Sequence, residues 1–169
     1  MAVNNVAVIG AGLMGAGVAR TILKGGFNVA VFDLDGEAVA AIERDGARAA
    51  VSAADASRDA DIVITVLPAP PHVEAAVFGE DGVAETIGEG AILIQQSTVD
   101  PAAVKDLARR LGLQGVQVLD APMLRNPAAA TAGTLGFVVG GDEAAFARAM
   151  PIFDCMGESA EHVGPVGTG

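Results

Sequence analysis

VAVIGAGLMGAGVARTILKGGFNVAVFDLD, Val6 to Asp35, is the stretch that decides the fold. Val6 to Ile9 is an apolar run without helical spacing, as in a strand buried on both faces. Gly10, Gly12 and Gly15 follow with the spacing G-x-G-x-x-G and open a helical run from Leu13 to Lys24. A second apolar run, Val29 to Phe32, ends at Asp33. The order is strand, glycine turn, helix, strand, acid.

Each part has a physical reason. Gly10 allows a tight turn, Gly12 lets the main chain approach a pyrophosphate, and Gly15 lets helix and strand pack closely. The unpaired N–H groups and partial positive charge at the helix start face the phosphates. Asp33 lies about 20 residues beyond the glycines, where a carboxylate can accept hydrogen bonds from both adenosine ribose hydroxyls. A 2′-phosphate there would meet like charge, so the expected cofactor is NAD rather than NADP. The plainer alternative is a glycine turn that only joins strand to helix. The coincidence of four features argues against it.

The 169 residues suffice for one domain with a proper core, and half of them are apolar. The net charge of −11, with no basic block, argues against nucleic acid or an anionic membrane as partner. Cys155 is the single cysteine, which fits a reducing compartment. There is no N-terminal targeting pattern and no apolar run of membrane-spanning length, so a cytoplasmic protein is expected.

Downstream, Gly36 to Arg44 reads as a helix, Ala47 to Ala50 as a brief strand and Ala53 to Arg58 as a short helix. Asp61 introduces the buried strand IVITVLP, which ends at Leu67-Pro68, and a helix through Val73, Val77 and Phe78 follows. Ala91 to Ile94 is the next strand and runs into Ser97-Thr98. Asp100 and Pro101 then start a helix to Leu111. Val116 to Leu119 is a strand ending in Asp120-Ala121-Pro122. Met123 to Gly133 reads as a polar, small-residue connection to the strand Thr134 to Val139. A helix from Asp142 towards Met156 and an edge strand at Glu161 to Val163 complete the pattern. Alternating strands and helices predict an α/β fold, a Rossmann-like, doubly wound and mainly parallel sheet. Ligands of such sheets lie beyond the carboxyl ends of the strands.

Those strand ends together resemble the β-hydroxyacid dehydrogenase family, which includes 3-hydroxyisobutyrate dehydrogenases and 6-phosphogluconate dehydrogenase. The matching segments are VIGAGLMGAGVA, VLP at Val66 to Pro68, QSTVDP at Gln96 to Pro101, DAP with GTL at Gly133 to Leu135, VVGGD and HVGPVGTG. The resemblance implies that Leu13 and Met14 border the pyrophosphate and that Leu67 and Pro68 line the adenine and nicotinamide path. It also implies that Thr98 lies near the nicotinamide ribose and the substrate. Leu67 equally fits a core position, and Thr98 a capping hydroxyl ahead of Pro101.

The Asp120 to Leu135 segment departs from the family's common D-x-P-V-S-G-G. Met123, Leu124, Arg125 and Asn126 stand where the family holds the substrate carboxylate. The segment looks like the sulfolactaldehyde reductase branch, in which an arginine at the place of Arg125 binds the substrate's anionic group. A surface arginine or one paired with an acid is the alternative. The family's catalytic lysine belongs to a helix expected beyond Gly169. Lys24 and Lys105, the only two lysines, read as helix charges, so no catalytic residue is expected within the chain.

The resemblance thus implies a cofactor-binding domain over residues 1–163, with 164–169 opening a linker to an all-helical C-terminal domain. It implies a homo-oligomeric oxidoreductase acting on a short anionic hydroxy acid, or hydroxysulfonate, and its semialdehyde. A non-catalytic dinucleotide-binding module and an imine-reducing relative are the rival readings. His72, His162 and Cys155 lack ligand spacing, so no metal site is expected.

Overall fold

The two apolar runs of the opening stretch lie side by side in the computed structural model, which describes residues 2–169. Strands β1 (Asn5–Ile9) and β2 (Asn28–Phe32) are parallel, with Val6 beside Val29 and Ile9 beside Phe32, and α1 (Leu13–Lys24) connects them. Helix α2 (Gly36–Glu43) starts at Asp35, whose side chain accepts from the amides of Glu37 and Ala38, and β3 (Arg48–Ala49) adds outside β2.

The chain then returns through α3 (Ala53–Ser57) to the other side of β1. There β4 (Ile62–Thr65), α4 (Pro70–Phe78), β5 (Ile92–Gln95), α5 (Pro101–Gly112) and β6 (Gln117–Asp120) extend the sheet the opposite way. The order β3-β2-β1-β4-β5-β6 is parallel throughout. It reverses direction between β1 and β4, and the crevice outside that switch point is where open α/β sheets hold ligands.

Both faces of these strands are covered, which explains their unbroken apolar runs. Val8, Ile64, Ile94 and Leu119 face one core with Val18 and Ile22 of α1. Ala7, Ile9, Val63 and Leu93 face the other with Val77, Leu107 and Leu111. No helix among the described residues is long and apolar enough to cross a membrane.

The last third differs from expectation. Met123 to Gly133 is not a plain connection: it holds β7 (Met123–Leu124) and α6 (Pro127–Ala132). Asn126 caps α6 through the amide of Ala129, and Gly133 closes it at φ 70°. The alanines of α6 lie so close to α1 that a Cβ on Gly17 would fall 2.8 Å from the Cβ of Ala130. Strand β8 (Leu135–Gly140) runs antiparallel to β6 and β7, pairing Gly140 with Asp120 and Phe137 with Met123. Helix α7 (Glu143–Met156) leads directly into β9 (Gly157–Gly164), parallel to β8 and starting earlier than the expected edge strand at Glu161.

Candidate cofactor-binding site

The glycine turn separates what the fold needs from what it does not. Gly10 sits at φ 107°, and a Cβ there would strike the carbonyl of Val66. A Cβ on Gly15 would overlap the carbonyl oxygen of Gly10. The fold itself therefore excludes a side chain at both positions. Gly12 is different: it is exposed, its φ is −63°, and a Cβ there would meet nothing within 4 Å. Nothing in the protein requires glycine at this position.

The start of α1 is equally unusual. Helices α2, α3, α5, α6 and α7 are each capped by a side-chain oxygen, from Asp35, Ser52, Asp100, Asn126 and Asp142. Helix α4 opens with Pro70, which has no N–H to satisfy. Helix α1 opens on Gly12 with neither a capping side chain nor an acid in its first turn. Its first amides and the positive end of its dipole stay open to an anion. Leu13 is exposed beside them, while Met14 is half-buried against the core.

Asp33 has a structural task that its position after β2 does not reveal. Its Oδ2 accepts from the Ala11 amide at 2.6 Å and its Oδ1 from the Asp35 amide at 2.8 Å. The carboxylate thus ties the glycine turn to the end of β2. An ionised carboxylate offers about four acceptor positions, so two remain for the hydroxyls of a ribose.

Asp33, Gly10, Leu67 and Pro68 come together around a cavity of about 520 Å³. Its other lining includes Leu34 and Val51, 93% and 89% exposed. Two bare aliphatic side chains beside a carboxylate with open acceptor positions suit a purine face. Sequence reasoning missed both, and the one available signal was the adjacency of Leu34 to Asp33. These residues fit the adenosine half of NAD, as the open amides of α1 fit its pyrophosphate.

Across the switch point, Ser97 Oγ accepts from the Leu67 amide at 2.8 Å and joins the ends of β4 and β5. Thr98 is exposed and does not cap α5, since Asp100 does so through the Ala102 amide. Thr98 instead lines a smaller cavity of about 130 Å³ with Ser97, Asp120, Pro122 and Gly169.

Arg125 lines neither cavity. Its Nη1 donates to the Thr134 carbonyl at 2.8 Å and to Glu158 at 2.9 Å, the acid pairing that was the alternative to an anion-binding role. Its backbone stands at φ 90°, a region that favours glycine. Because the pair with Glu158 is half-exposed, its loss costs at most about 1 kcal/mol. Relief of the left-handed backbone returns about as much. Arg125→Gly is therefore expected to unfold at the same denaturant midpoint as the parent or slightly later. A clearly earlier midpoint would show that the pair matters more than the strain.

Other reactive groups are placed elsewhere. Lys24 sits in the last turn of α1, and the stem of Lys105 lies over Gly167. His162 Nε2 lies 2.8 Å from the Gly141 carbonyl, and its ring stacks on Phe146. Burial pushes the Cys155 thiol up, with the charge of Asp154 adding to it, so the thiol stays protonated and unreactive at neutral pH. No group of three or more metal-ligating side chains occurs among the described residues.

Known proteins share this fold. Residues 5–164 match the family model for the NAD binding domain of 6-phosphogluconate dehydrogenase. NAD-dependent L-serine dehydrogenase of Pseudomonas aeruginosa is 42% identical over 97% of this chain and 55% of its own length. The 3-hydroxyisobutyrate dehydrogenase of the same organism is 39% identical over 98% of this chain and 55% of its own length. The crystallised 3-hydroxyisobutyrate dehydrogenase of Mycobacterium tuberculosis, with L-serine, superposes with a TM-score of 0.93 at 30% identity, covering 100% of this chain and 57% of that one. The chain spans about half the length of the curated relatives it matches. Because the match spans residues 5–164, this chain belongs to the family of the 6-phosphogluconate dehydrogenase NAD-binding domain.

Proposed function

We propose that this chain binds NAD across the β1–β4 switch point and serves as the cofactor domain of an enzyme that oxidises a small anionic hydroxy acid, or reduces the matching semialdehyde. The observation that carries the reading is Gly12, a glycine the fold does not need, at the one helix start left without a cap or a proline. The amides of the first turn of α1 hold the pyrophosphate, Asp33 the adenosine ribose, and Leu34 and Val51 the purine. When bound, nicotinamide supplies the hydride acceptor or donor. Thr98 stands at the strand ends where the second half of a dinucleotide must lie. The guanidinium edge of Arg125 turned away from Glu158 makes no protein hydrogen bond among the described residues. It remains available to a carboxylate or sulfonate.

Calorimetric titration of NAD, NADP and ADP-ribose into the chain tests the binding half of this reading. NAD is expected to bind at least about tenfold more tightly than NADP, the cost of setting a phosphate against a carboxylate. Equal or tighter NADP binding would overturn the cofactor assignment. Hydride transfer is a separate question, read from NADH absorbance with hydroxy acids on the product of the whole gene. Turnover of cyclic imines but not hydroxy acids would favour an imine-reducing relative, and no turnover of either a binding module.

A further inference from the structure

The sixth strand ends in a buried acid to which dinucleotide binding assigns no task. Asp120 is 4% exposed, and among the described residues it has no cationic partner. Its carboxylate faces the main chain of the last residues instead. Oδ1 accepts from the Gly167 amide at 2.9 Å, and Oδ2 from the Gly169 amide at 2.7 Å. A buried carboxylate is costly unless such bonds are kept, so the contact holds the segment firmly.

The surroundings are fitted to the same contact. The Gly141 amide donates to the Gly164 carbonyl at 2.9 Å. A Cβ on Gly140 would stand 2.5 Å from Asp120 Oδ1 and 2.7 Å from the Pro165 carbonyl oxygen. A Cβ on Gly169 would stand 2.8 Å from the Val138 carbonyl oxygen and 2.9 Å from Asp120 Oδ2. Gly167, at φ 90°, lies under the Lys105 stem. Residues 164–169 are therefore latched to the end of β6. The latched Gly169 forms one wall of the cavity of about 130 Å³ that Ser97, Thr98 and Pro122 complete.

That cavity lies at the ends of β5 and β6, across the switch point from Asp33. A dinucleotide whose adenosine rests on Asp33 and whose pyrophosphate rests on α1 must send its other half this way. We propose that Asp120 is a positioning residue: by holding Gly167 and Gly169 it builds the outer wall of the nicotinamide half-site. This rests on the reading that the chain binds NAD. Asp120 also borders this cavity, but both of its carboxylate oxygens are held by the glycine amides, so it acts through those glycines.

The test compares NAD with ADP-ribose, which lacks the nicotinamide, on the 169-residue chain. Asp120→Asn keeps the shape, removes the charge and turns an NH₂ towards a glycine amide. NAD affinity is expected to fall about fivefold or more while ADP-ribose stays within about twofold, and the Gly167 and Gly169 amides should lose protection from hydrogen exchange. Gly169→Ala leaves the carboxylate intact but spoils the fit, so it should give the same pattern. Retained ADP-ribose binding shows that each variant is folded. If NAD and ADP-ribose weaken together in both variants, or neither weakens, Asp120 is a structural staple and the proposal falls alone. If the parent chain binds neither ligand, the NAD reading falls first and takes the proposal with it.

Discussion

Gly12→Val is expected to abolish dinucleotide binding without unfolding the protein. A Cβ at this position meets no protein atom within 4 Å, and the backbone there, at φ −63° and ψ −174°, suits a β-branched residue. Loss of glycine at the helix start costs up to about 1 kcal/mol in capping. The smaller entropy of the unfolded chain returns about 0.4–1 kcal/mol, so stability should hardly move. The isopropyl group would occupy the approach to the first amides of α1, and NAD affinity should drop by about 100-fold or more, about 2.7 kcal/mol. Gly15→Val is the contrasting variant. Its side chain would drive into the Gly10 carbonyl, so strand, turn and helix must separate, and a loss of several kcal/mol in stability is expected. Chemical denaturation and calorimetry on the two variants separate the roles. Equal loss of stability in both would mean that Gly12 serves the fold after all.

The spacing already set Gly12 apart from Gly15; what it could not show is which atoms a side chain would meet at each. What was legible in the sequence was local. Buried runs such as IVIT and ILIQ became β4 and β5 because alternate residues serve opposite cores. The bounds of α1 followed from a glycine turn at one end and Gly25-Gly26 at the other. Asp100-Pro101 marked α5 through a cap and a missing N–H, both properties of adjacent residues. The two-residue β7 is too short for any pattern, and α6 is nearly all alanine, so neither has a periodicity to read. Its Asn126-Pro127 start was a usable signal that composition masked.

Site details failed to show for a different reason: they depend on contacts distant in sequence. Arg125 meets Glu158 across 33 residues, and Asp120 meets Gly167 and Gly169 across 47 and 49. No spacing rule reports which strand ends will coincide in space. Leu34 and Val51 carried little signal because exposed aliphatic residues are common on any surface. They acquire meaning only once a cavity is found between them.

Asp33→Ala should collapse the preference between the two cofactors, and the ratio is the informative quantity. The substitution removes two effects at once. It frees the Ala11 amide that the carboxylate held at 2.6 Å, which loosens the glycine turn, and it removes the acceptors for the ribose hydroxyls. Hydrogen bonds to a charged group contribute about 1.5–3 kcal/mol, so NAD affinity should fall about 10- to 100-fold. The loosened turn penalises NAD and NADP alike, because both bring the same pyrophosphate. The ribose contacts are lost for NAD, and the repulsion of the 2′-phosphate is lost for NADP, so only these alter the ratio. Asp33→Asn separates the two roles further, since its amide oxygen can still accept from Ala11 while the charge is gone. It should keep the turn in place, weaken NAD mildly and strengthen NADP outright. If Asp33→Ala weakens the two cofactors by one common factor while Asp33→Asn leaves both unchanged, the tie to Ala11 is the whole of what Asp33 does. The specificity would then have to come from elsewhere in the cleft.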